Sequence, residues 1–195
     1  MPQSKSRQSA DRSSRDDWIR EALKLLGEGG IEGITIDALC RRLGLTKGSF
    51  YWHFKGRQQL LSAMAESWAT THTRDVHESL RSSGLDDWAQ LAEVNKLSVE
   101  AGYGNIDRAM RVWADSSDET RTAVKTADRS VVGFIEEKFL NIGLLPSDAK
   151  SLAKLALATS VGTFAITPSF GRGTHGELDK VFGELIDRLR IAPLG

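Results

Sequence analysis

The most constraining feature of this sequence is a pair of short helix patterns, joined by a tight turn, within residues 35–61. The first pattern places four apolar residues at i, i+3, i+4 and i+7, namely Ile36, Leu39, Cys40 and Leu43. Thr35 precedes this stripe, where its hydroxyl can accept a bond from a free N–H of the first turn. Gly44 follows it, where a left-handed C-cap is favoured. The spacing therefore predicts a helix bounded by Thr35 and Gly44.

A second, more polar helix is predicted directly after the turn, with Thr46 as its cap. Residues 47–54 carry hydroxyl, imidazole and ammonium donors, while Phe50 and Phe54 can hold the helix to a core. Two short helices in this order form a helix-turn-helix, which places its second helix in the DNA major groove.

Individual residues of the second helix suit different contacts with DNA. Gly48 lets the backbone approach a phosphate, because it has no side chain. Lys47 and Ser49 are the better candidates for base edges. Trp52 fits either core packing or a contact with the groove wall.

A family resemblance is carried by Thr35, Leu39, the triplet Leu43-Gly44-Leu45 and the run KGSFYWHFK from Lys47 to Lys55. These residues resemble, without a gap, the DNA-binding domain of the TetR family of bacterial transcriptional regulators. The resemblance covers roughly the first third of the chain. It implies an all-helical homodimer with an N-terminal DNA-binding domain and a C-terminal domain that binds a small effector.

The resemblance also implies that Tyr51, His53 and Lys55 contact phosphates and that Thr35 clamps another. With the residues chosen on their chemistry, the predicted DNA-binding set is Thr35, Thr46, Lys47, Gly48, Ser49, Tyr51, Trp52, His53 and Lys55.

The charge distribution agrees with a DNA-binding N-terminus, although the formal net charge of the chain is zero. Residues 1–60 hold 11 Lys and Arg against 7 Asp and Glu, whereas residues 61–195 hold 15 against 19. A basic front and an acidic remainder suit two domains with different tasks. Chance fluctuation on a solvated surface is the alternative.

Three regions are predicted along the chain. Residues 1–14 have no apolar periodicity and are expected to form a disordered basic tail, or an arm that reaches DNA through Lys5, Arg7 and Arg12. Residues 15–60 form the three-helix DNA-binding domain, and residues 61–195 form an all-α domain for effector binding and dimerisation.

The second domain is expected to hold a long helix from about Arg57 and four or five further helices. The last of these are predicted to start after the cap Ser147 and at about Glu177, with a flexible loop at residues 171–176. Trp113 and Phe134 are the preferred effector contacts in a predicted pocket of Trp88, Tyr103, Met110, Trp113, Phe134 and Phe164. The predicted dimer interface, or alternatively part of the monomer's own core, is Ala153, Ala156, Gly162, Val181, Phe182, Leu185 and Ile186.

Several other patterns do not predict chemistry. The G-x-G-x-x-G at residues 171–176 lacks the strand and the downstream acidic residue of a dinucleotide site. His72 and His77 lie five residues apart, on different helix faces, so no metal site is expected. No catalytic residue or cofactor is predicted, and an enzyme is not expected. The single cysteine, Cys40, rules out an internal disulfide and suits a reducing cytoplasm.

The sequence therefore predicts a ligand-responsive transcriptional regulator, most simply a repressor, that binds a palindromic operator as a homodimer. The effector is a small molecule of unknown identity. Since the N-terminus is polar and the longest weakly polar run is short, a cytoplasmic protein without a membrane partner is expected. One alternative is an all-helical small-molecule carrier or enzyme with a vestigial DNA-binding domain. Another is a nucleoid-type binder without sequence preference.

Overall fold

The computed structural model describes residues 13–100, 103–171 and 174–189. Within these ranges the chain forms helices and turns without a strand, so the predicted all-α class is confirmed. The helices are α1 (Arg15–Gly29), α2 (Ile36–Leu43), α3 (Lys47–His53), α4 (Arg57–Ser67), α5 (Thr73–Arg81), α6 (Asp87–Glu100), α7 (Tyr103–Ala114), α8 (Asp118–Asn141), α9 (Pro146–Phe170) and α10 (Thr174–Leu189). A 3₁₀ turn, Ile31–Gly33, follows α1, and a π-helical segment, Trp68–His72, joins α4 to α5.

The described chain groups into two compact units. The first holds residues up to Thr71 together with Asn105–Val124, and the second holds His72–Gly104 and the described residues after Lys125. The predicted functional boundary between residues 60 and 61 falls inside α4, and the division into DNA-binding and effector domains stays a prediction. None of the described helices combines the length and the apolar character needed to cross a membrane.

In the first unit, α1 packs against α2 and α4 and begins with a reciprocal cap. The Asp17 N–H donates to Ser14 Oγ at 3.2 Å, while the Ser14 N–H donates to Asp17 Oδ2 at 2.8 Å. This capping box satisfies two backbone donors that a helix start leaves free. The fully buried large side chains of this unit are Trp18, Leu26, Ile34, Leu39, Phe50, Phe54, Leu60, Met64 and Met110. Trp18 is thus an interior packing residue.

The long helix expected from Arg57 is present as an unbroken helical path to Arg81, but its middle turn widens to π geometry. In this segment the Thr70 hydroxyl donates to the Glu66 carbonyl at 2.8 Å. A hydroxyl bonded to the preceding turn competes with the backbone ladder, a common cause of local distortion in helices.

The second unit has its own core, formed by Leu80, Phe134, Ile135, Phe139, Leu144, Ala149, Leu152, Ala153 and Ile186. Two residues predicted for a dimer interface, Ala153 and Ile186, are completely buried here. They are therefore part of the chain's own core, and a partner chain has no access to them. Ala156 and Phe182 are partly buried against the same core.

Two local expectations about the second unit are wrong. Helix α9 begins at Pro146 rather than after Ser147: Leu145 is its cap, since its carbonyl accepts from the Ala149 N–H at 2.8 Å. Proline suits this position because the first helical N–H has no partner in the helix. Residues 174–176, expected in a loop, belong to α10, while residues 172 and 173 lie outside the described residues. Helix α7 begins at Tyr103, so Gly104 lies within its first turn.

Polar groups surround the ring of Phe134 in the second unit. His77 stacks on it with ring centroids 4.2 Å apart and an interplanar angle of 7°. The Arg81 guanidinium and the Lys138 ammonium lie 5.2 and 5.1 Å from its centroid. Burial, and next the charge of Arg81, lower the pKa of His77 from 6.5 to about 4. The neutral imidazole is therefore the form that this packing accepts.

Truncation of two aromatic residues of α3 should have very different effects on stability. Phe50 is fully buried whereas Trp52 is 87% exposed, so Phe50→Ala should lower the free energy of unfolding by about 3–5 kcal/mol. Trp52→Ala is the matched control and should change it by no more than about 0.5 kcal/mol. Chemical denaturation followed by circular dichroism measures both, and equal losses would contradict the placement of α3.

Stability should fall in mild acid because of His77. A histidine whose folded pKa is depressed contributes its full stability above about pH 6.5 and loses it as the pH falls towards 4. The loss is expected to reach at most about 3 kcal/mol, since one pKa unit is about 1.4 kcal/mol. His77→Phe should remove this part of the pH dependence. Denaturation curves at several pH values between 4 and 7 test this. If the free energy of unfolding depends on pH in the same way in both proteins, the prediction is refuted.

Candidate nucleic-acid interface

The turn between α2 and α3 is fixed by caps that the sequence predicted. The Thr35 hydroxyl accepts from the Ala38 N–H at 3.1 Å, and Gly44 ends α2 in the left-handed conformation, with φ 67° and ψ 29°. At the next helix the Thr46 hydroxyl accepts from the Ser49 N–H at 3.2 Å. The Leu45 N–H donates to the Cys40 carbonyl at 2.9 Å, which closes the turn. The predicted helix-turn-helix is therefore confirmed in its local geometry.

One face of α3 is held in the interior by aromatic packing. The ring of Phe50 lies edge-on to Trp18 of α1, with centroids 5.4 Å apart and an interplanar angle of 77°. Phe50 and Phe54 lie four residues apart, on the same helix face, with their centroids also 5.4 Å apart. This packing fixes the rotation of α3 about its own axis, as the sequence predicted.

The opposite face of α3 carries the predicted DNA-binding residues to the surface. Lys47, Gly48, Tyr51, Trp52 and Lys55 are exposed, and Ser49 and His53 are half-buried. The choice that the sequence left open for Trp52 is thereby decided, because its side chain is not a core residue. The two capping threonines, Thr35 and Thr46, are exposed as well. All nine predicted residues are thus accessible to a partner from outside the chain.

Gly48 has no packing reason to be glycine. A Cβ at this position would meet only Thr46 Oγ1, at an ordinary contact distance of 3.5 Å. Glycine inside a helix lowers stability relative to alanine. If this position requires glycine, the requirement therefore comes from a partner outside the chain, which agrees with a close approach of the backbone to a phosphate.

The sequence did not predict a role for two charged residues near this surface, Asp37 and Arg57. The Lys47 ammonium lies 2.7 Å from the Asp37 carboxylate of α2, and this hydrogen bond raises the pKa of Lys47. Arg57, the first residue of α4, donates to the carbonyls of Ile34 and Ile31, both at 2.6 Å. Its position directly after Lys55-Gly56 gave no signal, because the bonds reach back more than twenty residues.

Cys40 is less buried than its place on an apolar helix face predicted. It is half-buried, and Leu39 is the one fully buried residue of the four in that stripe.

Part of the chain is similar to known bacterial regulatory proteins. Residues 19–64 match the family model described as "Bacterial regulatory proteins, tetR family". The chain is 41% identical over 85 residues to the Tetracycline repressor protein class C of Escherichia coli, and 42% identical over 81 residues to the class A protein from transposon 1721, also of Escherichia coli. The N-terminal part of the chain therefore matches the TetR family.

The sequence similarity is confined to part of each protein. The two matches span 43% and 41% of this chain, but only 36% and 35% of the lengths of those relatives. The fold similarity is wider. The crystal structure of a TetR transcriptional regulator from Legionella pneumophila superposes with a TM-score of 0.72, covering 93% of this chain and all of that one at 17% identity. At that identity the superposition supports a TetR-like fold and nothing finer.

The six residues predicted to contact an effector are distributed over both units of the chain. Met110 and Trp113 are buried in the first unit. In the second, Phe134 is buried beneath His77, Trp88 is 41% exposed, and Phe164 packs so closely on Gly104 that a Cβ there would overlap its ring. The contact places Phe164 beside the first turn of α7, next to Tyr103. The pocket as a whole stays a prediction.

Alanine at position 48 should make the protein more stable. Gly48→Ala is expected to raise the free energy of unfolding by about 0.5–1 kcal/mol, because the helix gains from alanine and the site has room for its methyl group. The matched control is Gly44→Ala, which should lower stability because φ there is 67°. Thermal unfolding measures both, and a loss of stability in Gly48→Ala would show that the fold itself needs this glycine.

Proposed function

We propose that this protein is a transcriptional regulator, most simply a repressor, that binds a palindromic operator as a homodimer and responds to a small effector. The observation that carries the proposal is the two-sided nature of α3. Its phenylalanines are fixed in the core, while its lysines, tyrosine and tryptophan are presented to solvent on a capped, short helix. A helix with this exposed donor set fits the major groove. The names of the similar proteins, tetracycline repressors among them, support the same role.

Dimerisation is proposed through α9 and α10, which pack against each other. These two helices leave several large apolar residues exposed, namely Leu155, Ile166, Phe170, Val181, Leu185 and Leu189. Val181 and Leu185 belong to the interface expected from the sequence, whereas Ala153 and Ile186 no longer do. Two such helix pairs meeting about a two-fold axis would bury this surface in a four-helix bundle and place two copies of α3 on a palindrome.

Effector control is proposed to act through the spacing of the two DNA-binding domains. A ligand that favours one conformation of the effector domain shifts the equilibrium towards a spacing that does or does not match the groove. The helical path from Arg57 to Arg81 is the proposed connection, and the bonds of Arg57 to Ile31 and Ile34 tie its start to the segment before α2. A DNA-binding role would place the protein in the cytoplasm.

A double variant of α3 tests the proposed function. Lys47→Ala combined with Tyr51→Ala removes a cation and a hydroxyl from the exposed face and should abolish specific binding in a gel shift. Binding by the unaltered protein should also weaken roughly 10³- to 10⁵-fold between 50 and 200 mM salt, for about 6–10 phosphate contacts. The operator duplex is obtained first by selection from a random pool.

Three controls make this test decisive. Lys96→Ala removes an exposed cation of α6 and should leave binding unchanged. Light scattering should give the same dimer mass for every variant, which separates DNA contacts from assembly. Gly48→Ala should bind more weakly although it is more stable, because its methyl group would separate the backbone from a phosphate. Unchanged operator binding by the double variant would refute the assignment of α3.

A further inference from the structure

The exposed ion pair between α2 and α3 joins two helices at the proposed DNA-binding surface. Asp37 lies in the first turn of α2 and Lys47 is the first residue of α3. Their charged atoms, Asp37 Oδ1 and Lys47 Nζ, are 2.7 Å apart, and the two side chains are 63% and 60% exposed. Lys47 directly follows the capping Thr46, and Asp37 lies in the first turn after the capping Thr35. The backbone at both positions is therefore fixed.

Folding stability gives little reason for this pair. Exposed ion pairs contribute little to stability, since water screens them and two side chains lose freedom. The pairs of Asp17, Glu21 and Glu28 in the same unit lie along α1 or join it to Arg42 of α2. Asp37 is different, because its partner is a residue of the proposed recognition helix.

An aspartate beside DNA is unfavourable unless it finds a donor. Its carboxylate is repelled by phosphates and can only accept hydrogen bonds while it is ionised. In the major groove the donors are the exocyclic amines of cytosine and adenine. Among base-edge contacts, carboxylates pair with cytosine N4, and lysine pairs with guanine O6 and N7.

We propose that Asp37 and Lys47 act together as one reading pair that selects a G·C base pair in each operator half-site. The Lys47 ammonium donates to guanine O6 and N7, and the Asp37 carboxylate accepts from N4 of the paired cytosine. The inference rests on the proposed function and adds to it the identity of one base pair and a specificity residue, Asp37, outside the recognition helix.

The spacing of the pair matches the edge that it is proposed to read. The 2.7 Å between the lysine nitrogen and the aspartate oxygen is close to the separation of guanine O6 and cytosine N4, which are joined by a Watson–Crick hydrogen bond of about 2.9 Å. The G·C edge offers two neighbouring acceptors and then a donor, in the order that a lysine beside an aspartate requires. An A·T edge places its donor between two acceptors, so the pair can match the donor and one acceptor, while the second acceptor lies beside the carboxylate and receives no hydrogen bond.

The ion pair also explains how the acid is tolerated near DNA. Lysine and aspartate together carry no net charge, so the pair can approach the groove without a net repulsion from phosphates. The pair then contributes discrimination between base pairs rather than general affinity for DNA. A well-placed base contact of this kind discriminates against a wrong base by roughly 5- to 150-fold.

The test compares the operator sequences selected by the unaltered protein and its variants from one random duplex pool. The unaltered full-length protein should select G·C at one position of each half-site. Asp37→Ala should still bind duplexes but lose that preference by roughly 5- to 150-fold, with the other positions unchanged. Asp37→Asn should move the preference towards A·T, because an amide suits adenine N6 and N7. Glu32→Ala is the matched control, since it removes an exposed acid from the 3₁₀ turn after α1 and should select the original sequence.

Salt dependence gives a second readout. The double variant Asp37→Ala, Lys47→Ala removes a neutral pair, so the slope of log affinity against log salt should stay unchanged. A slope lower by about 1 would mean that Lys47 leaves Asp37 to bind a phosphate, and that result would overturn the reading pair. Circular dichroism confirms that each variant is folded before binding is measured.

The outcomes separate this inference from the function on which it rests. If the unaltered protein selects a palindrome and Asp37→Ala selects the same sequence with the same preference, the reading pair is wrong and the regulator remains. Selection of a palindrome without the G·C preference by the unaltered protein also overturns the reading pair alone. If the unaltered protein binds no duplex, the proposed function is wrong and this inference is wrong with it.

Discussion

The structure of the helix-turn-helix depends on the aromatic contact between Trp18 and Phe50. Helix α3 has only seven residues, and a helix of that length is not stable alone in water. It exists because Phe50 and Phe54 are buried on one side of it, against α1. Burial of this face fixes the orientation of the helix, and the remaining residues are thereby committed to the surface. The same contact therefore provides both the stability of α3 and the position of its donors.

Hydrogen bonds at the helix ends also fix the structure of the helix-turn-helix. The threonine caps of α2 and α3 and the left-handed Gly44 determine where each helix starts and stops. Arg57 adds a bond of longer range, because it holds the carbonyls of Ile31 and Ile34 from the start of α4. The proposed DNA-binding surface would need this rigidity, since a base contact depends on the position of a side chain to within a fraction of an ångström.

The second unit is organised around charges as well as apolar packing. Lys138 is almost fully buried, and its ammonium lies 3.0 Å from Asp87 and 2.9 Å from Glu137. Glu137 also accepts from Arg81 at 2.7 Å, which lowers the pKa of this carboxyl. Together with His77, these groups surround Phe134 with polar atoms whose partners are fixed. Lys138 is the buried member of this network, and its ammonium would be unfavourable without these partners, so the network favours one packing of α5, α6 and α8.

The sequence by itself determined the helical class, the helix-turn-helix with its caps, and the inward and outward faces of α3. These follow from local spacing, since an i, i+4 pair shares a helix face wherever the helix lies and a threonine cap bonds to residues three positions away. The tertiary structure alone decided that Trp52 is exposed, that Ala153 and Ile186 are buried within the chain, and that Asp37 meets Lys47. Each of these depends on which surface packs against which, and residues distant along the chain leave no periodic signal of their contact.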